Sequence, residues 1–209
     1  MSIELSQAAL QAHFGAVCTA PIFLAHRDRI EPDMTLSDAE SLNCDAMASE
    51  KRRAEYLLGR SALKAVLARL GLNADTAAVR WPSTFCSLSH SHGHAVAVGL
   101  PGGQGIGIDL QLRKSPPFAM AERILTGDTV AYWDGLPEPE RAAALQRFWT
   151  VNEAVYKACP APQPAYFRHY RMHAPAAMDG EVSIDGTDYR FRVHTAALPE
   201  GFVSLALRV

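Results

Sequence analysis

The sequence has few cysteines, little net charge and no long apolar run. The cysteines are scattered without a C-x-x-C pair, so they indicate neither a zinc knuckle nor a disulfide framework, and we expect thiols in a reducing compartment. The formal net charge of −2 gives no electrostatic signature for nucleic acid. No segment approaches the roughly 18 apolar residues of a membrane helix. The four cysteines are Cys18, Cys44, Cys86 and Cys159.

The N-terminal segment lacks the basic region of a secretory signal and carries an early acidic residue, Glu4. Together with the absence of a membrane helix, this predicts a soluble, cytoplasmic protein. We therefore expect no nucleic-acid partner and no membrane partner.

Apolar residues, in contrast, are abundant and periodic. They make up 48% of the 209 residues, which is enough for one large domain or two small ones. Three-and-four spacing over residues 54–70 predicts an amphipathic helix that Gly71 is placed to end, and a second helical region covers residues 139–158. Ser37 followed by Glu40 is the capping-box pattern that starts a further helix.

The strand candidates surround these helices. A short strand is predicted within residues 21–30, and Gly102-Gly103 suits a hairpin turn between two later strands. The remaining candidates are residues 86–90, 95–100, 105–110, 181–184, 189–193 and 202–209.

The order of these elements predicts an α+β fold built from two similar α/β halves, residues 1–100 and 101–209. Each half would be a small antiparallel sheet packed on a long helix. The repeated order suggests a pseudo-two-fold duplication, although two unlike halves would give the same coarse order.

Three acidic or basic residues could carry chemistry. Asp109 stands at the end of an apolar strand, where an ionised carboxylate is costly unless it is paired or bound to a metal; a turn or capping aspartate is the alternative. Glu153 and Lys157 are four residues apart and project from one helix face. An ordinary surface ion pair is the alternative for these two.

Histidines alternate in a predicted strand at His90, His92 and His94. A transition-metal site is conceivable because alternate residues share one face of a strand. Gly93 interrupts the strand and no further cysteine or aspartate stands at ligand spacing, which favours a solvated turn in which one histidine contacts phosphate.

A basic run opens the first long helix. Most of its residues are expected on a solvated helix face, while one or two could bind a phosphate. The residues are Lys51, Arg52, Arg53, Arg60 and Lys64.

Taken in order, these stretches resemble the surfactin-type 4′-phosphopantetheinyl transferases. That family shows a leucine-leucine-glycine step, then N-x-S-H-S, then G-I-D-x-E, then W-x-x-K-E-x-x-x-K. The matching residues here are 57–59 (LLG), 87–91 (SLSHS), 107–111 (GIDLQ) and 149–157 (WTVNEAVYK). The joint match of the last three motifs in this order is specific, whereas each motif alone is not.

The resemblance implies transfer of the phosphopantetheine arm of coenzyme A to a serine of an apo-acyl or peptidyl carrier protein, with release of adenosine 3′,5′-bisphosphate. It implies a pseudo-dimer with the active site in the cleft between its halves. Asp109 and Glu153 would hold Mg²⁺, with Gln111 at the position of a further ligand. Glu153 would also accept the serine proton, and Lys157 would neutralise the α-phosphate. We expect a monomer, because an internal pseudo-dimer lowers the need for an oligomer.

The resemblance also implies a set of coenzyme A contacts. His90, with Ser89 before it, would contact a phosphate of coenzyme A. The cations expected to hold the 3′-phosphate are Arg52, Arg53, Arg60 and Arg80.

The chain departs from the family pattern at several positions. Gln111 stands where many relatives carry an acidic ligand, and Glu55 stands where an arginine is usual. The family's G-K-P loop is missing, with Arg80 as its candidate replacement, and residues 159–162 replace a G-K-G loop that commonly faces the carrier protein. These departures keep open a second reading, in which the chain is a catalytically weak relative that binds coenzyme A or a carrier protein without transfer.

Overall fold

The structure is a computed structural model that describes residues 2–19, 21–160 and 166–209. Its helices are Gln7–Val17 (α1), Asp38–Asp45 (α2), Glu50–Arg69 (α3), Ala121–Ile124 (α4), Asp128–Asp134 (α5) and Glu138–Ala158 (α6). Its strands are Phe23–Arg27 (β1), Cys86–Ser91 (β2), His94–Gly99 (β3), Ile106–Leu112 (β4), Tyr170–Met172 (β5), Asp179–Ile184 (β6), Arg190–Leu198 (β7) and Gly201–Arg208 (β8). Within these ranges no helix has the length and apolarity to cross a membrane. Of residues 159–162, the loop predicted to face the carrier protein, residues 161 and 162 lie outside the described residues.

The strands form two antiparallel sheets. One has the order β1-β3-β2 and packs on α3, and the other has the order β4-β8-β7-β6-β5 and packs on α6. This confirms the predicted α+β architecture of small antiparallel sheets on long helices.

The hairpin predicted at Gly102-Gly103 is wrong, because β3 and β4 belong to different sheets. The hairpin lies one connection earlier, between β2 and β3, at His92-Gly93 with φ angles of 48° and 79°. Two successive positive φ angles are those of a type I′ turn, whose twist matches antiparallel strands. Gly93 therefore ends the strand, as the sequence indicated.

The helix ends follow the local sequence. The Ser37 side chain accepts a hydrogen bond from the Glu40 N–H and the Glu40 side chain accepts one from the Ser37 N–H, which confirms the capping box. The first long helix begins earlier than predicted, because Ser49 caps it. Gly71, with φ of 70°, follows its end as expected.

A core shared by both sheets lies between them. Along β3, Ala95 and Ala97 pack toward α3, whereas Val96 and Val98 face the opposite side. That opposite side is the middle core, which joins α1 and both sheets and includes Leu10, Phe14, Ile106, Ile108, Leu110, Val203 and Leu205. The layers are therefore α3, the first sheet, the second sheet and α6.

Strand β2 lies along the free edge of β4, where the two sheets meet. Three serine hydroxyls of β2 accept hydrogen bonds from alternate backbone N–H groups of β4, each at 3.1 Å. Edge N–H groups buried at such a junction would otherwise lack partners. We call these residues the serine ladder; its pairs are Ser87–Ile108, Ser89–Leu110 and Ser91–Leu112.

Candidate active site

Helix α6 crosses β4 at Gly107. A Cβ atom at Gly107 would overlap the carbonyl oxygen of Ala154 and would lie 2.7 Å from the backbone nitrogen of Ala158. Only glycine permits this approach of helix to strand. The close crossing brings Glu153 and Lys157 of α6 next to the following residues of β4.

Asp109 is the residue on β4 that meets them. It is 5% exposed and lies in the middle of the strand, which corrects the predicted strand-end position. Its Oδ1 accepts hydrogen bonds from Ser89 Oγ at 2.9 Å and from Lys157 Nζ at 2.7 Å. Lys157 also donates to the carbonyl oxygen of Ile108 at 3.1 Å, so α6 is tied to the free edge of β4. Among the described residues, the buried Asp109 Oδ2 has no hydrogen-bond partner.

Glu153 is the second carboxylate at this junction and is half-buried on α6. Burial raises its pKa, the charge of Asp109 raises it further, and the Lys157 ammonium opposes both effects. The charge of Asp109 therefore acts on Glu153, although burial is the larger cause of its raised pKa. A cation between two such groups would relieve their repulsion.

The three-histidine metal site is wrong. Across residues 2–19, 21–160 and 166–209, no group of three or more His, Cys, Asp or Glu is placed to hold a metal ion. His92 occupies the β-turn, and His94 stacks on His26 with ring centroids 5.4 Å apart. His90 and His92 both line one cavity, whereas His94 packs against His26, so the three rings do not share one face as they would on a continuous strand.

The two carboxylates Asp109 and Glu153 nevertheless fit Mg²⁺. This ion is commonly bound by one or two protein carboxylates, with substrate phosphates and water completing its shell. The partnerless Oδ2 of Asp109 is an oxygen suited to that role.

Gln111 lies two residues beyond Asp109, on the same face of β4. Its side-chain Nε2 donates to the backbone carbonyl oxygen of Lys114 at 3.0 Å, and the backbone carbonyl oxygen of Gln111 accepts from Gln146 Nε2 at 3.1 Å. Its part in metal binding stays a prediction.

A cavity of about 640 Å³ has the end of β2, with His90, on its wall and is otherwise lined by α3, the loop after β1 and the turn after β2, with no lining residue from β4 or α6. We call it the His90 cavity. Its charged walls are the cations Arg29 and Lys51 and the anions Asp28 and Glu55. The formal charges of these four side chains balance, and Lys51 and Glu55 lie 3.9 Å apart as an ion pair.

His90 keeps an accessible surface at this wall, yet the protein around it lowers its pKa by desolvation. The charges of Glu55 and Asp109 act in the opposite direction, and those of Lys157 and Arg60 act with the desolvation. His90, Asp109 and Lys157 therefore share one electrostatic neighbourhood, although they lie far apart in the sequence.

The arginines predicted to bind phosphate do not line the His90 cavity, although the charge of Arg60 acts on His90. Arg53 donates to the carbonyl of Met47 at 2.7 Å, and the Arg60 guanidinium lies 4.8 Å above the ring of Tyr56. Arg80 lines a separate cavity of about 470 Å³. The lining of the His90 cavity includes none of Arg52, Arg53, Arg60 and Arg80.

Of the two cations that line the His90 cavity, the sequence analysis named Lys51 only as one member of a basic run and did not name Arg29. Lys51 belonged to the basic run, and its spacing of four from Glu55 and seven from Leu58 was the usable signal, because such residues share a helix face. Arg29 follows β1 in a loop and carried no sequence signal.

Two family models match the chain. Residues 40–99 match the 4′-phosphopantetheinyl transferase N-terminal domain, and residues 105–204 match the 4′-phosphopantetheinyl transferase superfamily. The first match contains Ser89 and His90, and the second contains Asp109, Glu153 and Lys157. No curated protein matches the chain significantly.

Proposed function

We propose that this chain transfers the phosphopantetheine arm of coenzyme A to a serine of an apo-carrier protein, and the matches of residues 40–99 and 105–204 to 4′-phosphopantetheinyl transferase family models support the proposal. The class is the surfactin type, the reaction is Mg²⁺-dependent, and the second product is adenosine 3′,5′-bisphosphate. The observation that carries the proposal is the junction of β4 and α6, where Asp109, Glu153 and Lys157 meet around a partnerless buried carboxylate oxygen.

Asp109 and Glu153 are the residues that would hold Mg²⁺. When bound, the ion would neutralise charge on the pyrophosphate oxygens, which is the dominant requirement of phosphoryl transfer. Gln111 would lie at the margin of this site, where its neutral amide is a weaker ligand than a carboxylate.

The His90 cavity would receive the nucleotide part of coenzyme A. Its volume of about 640 Å³ is in the range of small-molecule sites. Arg29, Lys51 and His90 line it and are the candidates to contact phosphate. They take the place of the arginines that the family resemblance implied.

In the proposed reaction, the carrier serine oxygen bonds to the phosphorus that bears the pantetheine arm. The bond between that phosphorus and the oxygen of the leaving adenosine bisphosphate breaks. The serine proton passes to Glu153, directly or through a water, and Lys157 stabilises the charge on the leaving phosphate. Glu153 suits this role, because a carboxylate with a raised pKa is a better base near neutral pH.

We also infer that the two halves, residues 1–100 and 101–209, arose by pseudo-two-fold duplication. In each sheet the first strand pairs with the last, and the last pairs with the strand before it. The first half would supply the coenzyme A side and the second half the metal and catalytic side. We propose that the protein acts as a cytoplasmic monomer, without nucleic-acid or membrane partners.

A second candidate function is binding of coenzyme A or a carrier protein without transfer. Two observations favour it: Gln111 in place of a carboxylate, and the balanced charge of the His90 cavity. A protein that does not transfer the arm would need neither a third carboxylate to bind Mg²⁺ nor an excess of positive charge in the His90 cavity.

The test is to incubate the protein with coenzyme A, Mg²⁺ and a panel of apo-carrier proteins, and to look by mass spectrometry for a carrier that has gained the arm. We expect modification by the wild type, none by Glu153→Gln, and little change with Gln111→Ala. If the wild type binds coenzyme A but modifies a carrier only after Gln111→Glu, the chain is a binder and the transferase proposal is wrong.

A further inference from the structure

Ser89 differs from the other members of the serine ladder. Ser87 and Ser91 accept from β4 in the same way, but Ser89 also donates to Asp109 Oδ1 at 2.9 Å. Ser89 is 6% exposed, so this contact lies in the protein interior. The ladder thus connects its middle hydroxyl to the carboxylate at the proposed metal site.

The donor of the Ser89 hydroxyl is already used by one of these two contacts. A serine hydroxyl has one hydrogen to donate, and here that hydrogen goes to Asp109 while the oxygen accepts from the Leu110 N–H at 3.1 Å. It therefore has no donor left for a phosphate oxygen. A contact with coenzyme A would require Ser89 to release Asp109.

The orientation of the Asp109 carboxylate follows from its two donors. Lys157 and Ser89 both bind Oδ1, which leaves Oδ2 as the oxygen without a partner. Each donor has a second contact, Ser89 with the Leu110 N–H and Lys157 with the Ile108 carbonyl. The serine hydroxyl, however, is one rotatable bond away from the backbone of a strand, whereas the lysine ammonium is a point charge on a flexible four-carbon stem. Ser89 is therefore the contact that fixes which oxygen is presented.

We propose that Ser89 is the positioning residue of Asp109, holding Oδ1 so that Oδ2 is presented to a divalent cation, and that it is not a coenzyme A contact. The proposal rests on the proposed function for the identity of the site, but it concerns cation affinity rather than transfer.

The test is Mn²⁺ titration followed by electron paramagnetic resonance, with coenzyme A present and no carrier protein. Ser89→Ala should weaken Mn²⁺ binding on the order of 10–100-fold, as removal of a residue that orients a metal ligand does. Ser87→Ala is the matched control, because it also strips an acceptor from a β4 N–H but does not touch Asp109. Its Mn²⁺ affinity should equal that of the wild type, and coenzyme A affinity by calorimetry should be unchanged in both variants.

Equal Mn²⁺ affinities in the two alanine variants would overturn the proposal, and so would a wild type that binds no Mn²⁺. A specific loss of coenzyme A affinity in Ser89→Ala would return Ser89 to the coenzyme A contacts. If Ser89→Ala does not fold, Ser89→Cys, which keeps a weaker donor of similar size, should show an intermediate affinity, and wild-type affinity would contradict the proposal. A wild type that binds Mn²⁺ in this pattern but modifies no carrier would refute the transferase function and leave the role of Ser89 standing.

Discussion

At the scale of single residues, the site is a meeting of two carboxylates and one ammonium. Lys157 pairs with Asp109 at 2.7 Å, which leaves Glu153 as the carboxylate whose charge is less compensated. Burial and the Asp109 charge raise its pKa, so the folded protein holds the Glu153 proton more tightly than the unfolded chain does. The proposed reaction therefore needs the ionised form of Glu153, whereas the stability of the fold favours its protonated form.

We predict that Glu153→Gln abolishes transfer and stabilises the protein at pH 8. Because the folded-state pKa lies above the unfolded value of about 4.3, wild-type stability falls as pH rises through that interval. The glutamine cannot ionise, so the free energy of unfolding of Glu153→Gln should exceed that of the wild type by an amount that grows across the same interval, to about 0.5–2 kcal/mol at pH 8. Urea denaturation at several pH values measures it, and a variant less stable than the wild type at pH 8 would contradict the raised pKa.

The rate of transfer should depend on pH through the ionisation of Glu153. As Glu153 must be ionised to accept the serine proton, activity should rise with pH as Glu153 ionises, and the midpoint should move to lower pH as the Mg²⁺ concentration is raised, because a bound cation favours the ionised carboxylate. A single-turnover pH profile gives that midpoint. A rate that does not change with pH over this range would mean that another group accepts the proton of the carrier serine.

At the scale of elements, the crossing of α6 over β4 depends on one missing side chain. We predict that Gly107→Ala destabilises the protein by about 1–3 kcal/mol or more, because the new methyl group meets helix backbone that cannot rotate away. It should also reduce transfer by moving Glu153 and Lys157 relative to Asp109. Thermal unfolding and the carrier assay measure the two effects.

Gly15→Ala is the control for this prediction. Gly15 is exposed on α1, and an added Cβ would lie 3.5 Å from the nearest atom, Gln11 Nε2. Alanine there should be neutral or stabilise by about 0.5–1 kcal/mol. If both alanine variants behave alike, the close approach at Gly107 is not what positions α6.

A second element-scale device joins α2, α3 and the short turn Thr76–Ala78. Glu40 is fully buried, its Oε2 lies 2.7 Å from Lys64 Nζ, and its Oε1 accepts from the Thr76 N–H at 2.9 Å. Burial alone raises the pKa of Glu40, but hydrogen bonds from Lys64, Thr76 and Ser37 outweigh it and lower the pKa to about 2.

We predict that Glu40→Gln costs about 3–5 kcal/mol at pH 7, because it leaves Lys64 without its buried partner. The folded-state pKa is depressed, so the wild-type advantage is fully present above the unfolded value of about 4.3 and is lost as pH falls toward about 2. Chemical denaturation at pH 7 and pH 3 tests this. Glu31→Gln, which breaks a partly exposed ion pair with Arg27, should cost less than about 1 kcal/mol.

At the scale of the whole molecule, the two halves share an interior. The middle core takes side chains from α1 and both sheets, and the serine ladder supplies the acceptors for the free edge of β4. Separation of the halves would expose that apolar surface and leave the β4 N–H groups to water. A proposed duplication therefore need not mean independent folding.

We predict that fragments 1–100 and 101–209 do not fold separately. Each would lose its part of the middle core, and the second would also lose the partner of its edge strand. Circular dichroism and two-dimensional NMR of each fragment should show no cooperative transition, whereas the intact chain should unfold in a single step. Cooperative unfolding of either fragment alone would mean that the middle core is a docking interface between autonomous domains.

The sequence by itself determined the features that depend on neighbouring residues. The periodicity of α3 and α6, the capping box at Ser37, the turn after β2 and the hairpin between β6 and β7 all follow from contacts within a few positions. The order of the motifs was also enough to select Asp109, Glu153 and Lys157, because their residue types and spacings are local properties.

Only the tertiary structure decided the rest, because it depends on which distant segments come together. The local sequence Gly102-Gly103 predicts a hairpin between β3 and β4, but β4 pairs with β8, near the other end of the chain. The walls of the His90 cavity combine a loop after β1, one face of α3 and a turn. Arg29 and Lys51 line the same cavity only because these distant segments pack together. The bond from Ser89 to Asp109 likewise exists because the edge of β4 needed partners that β2 could supply.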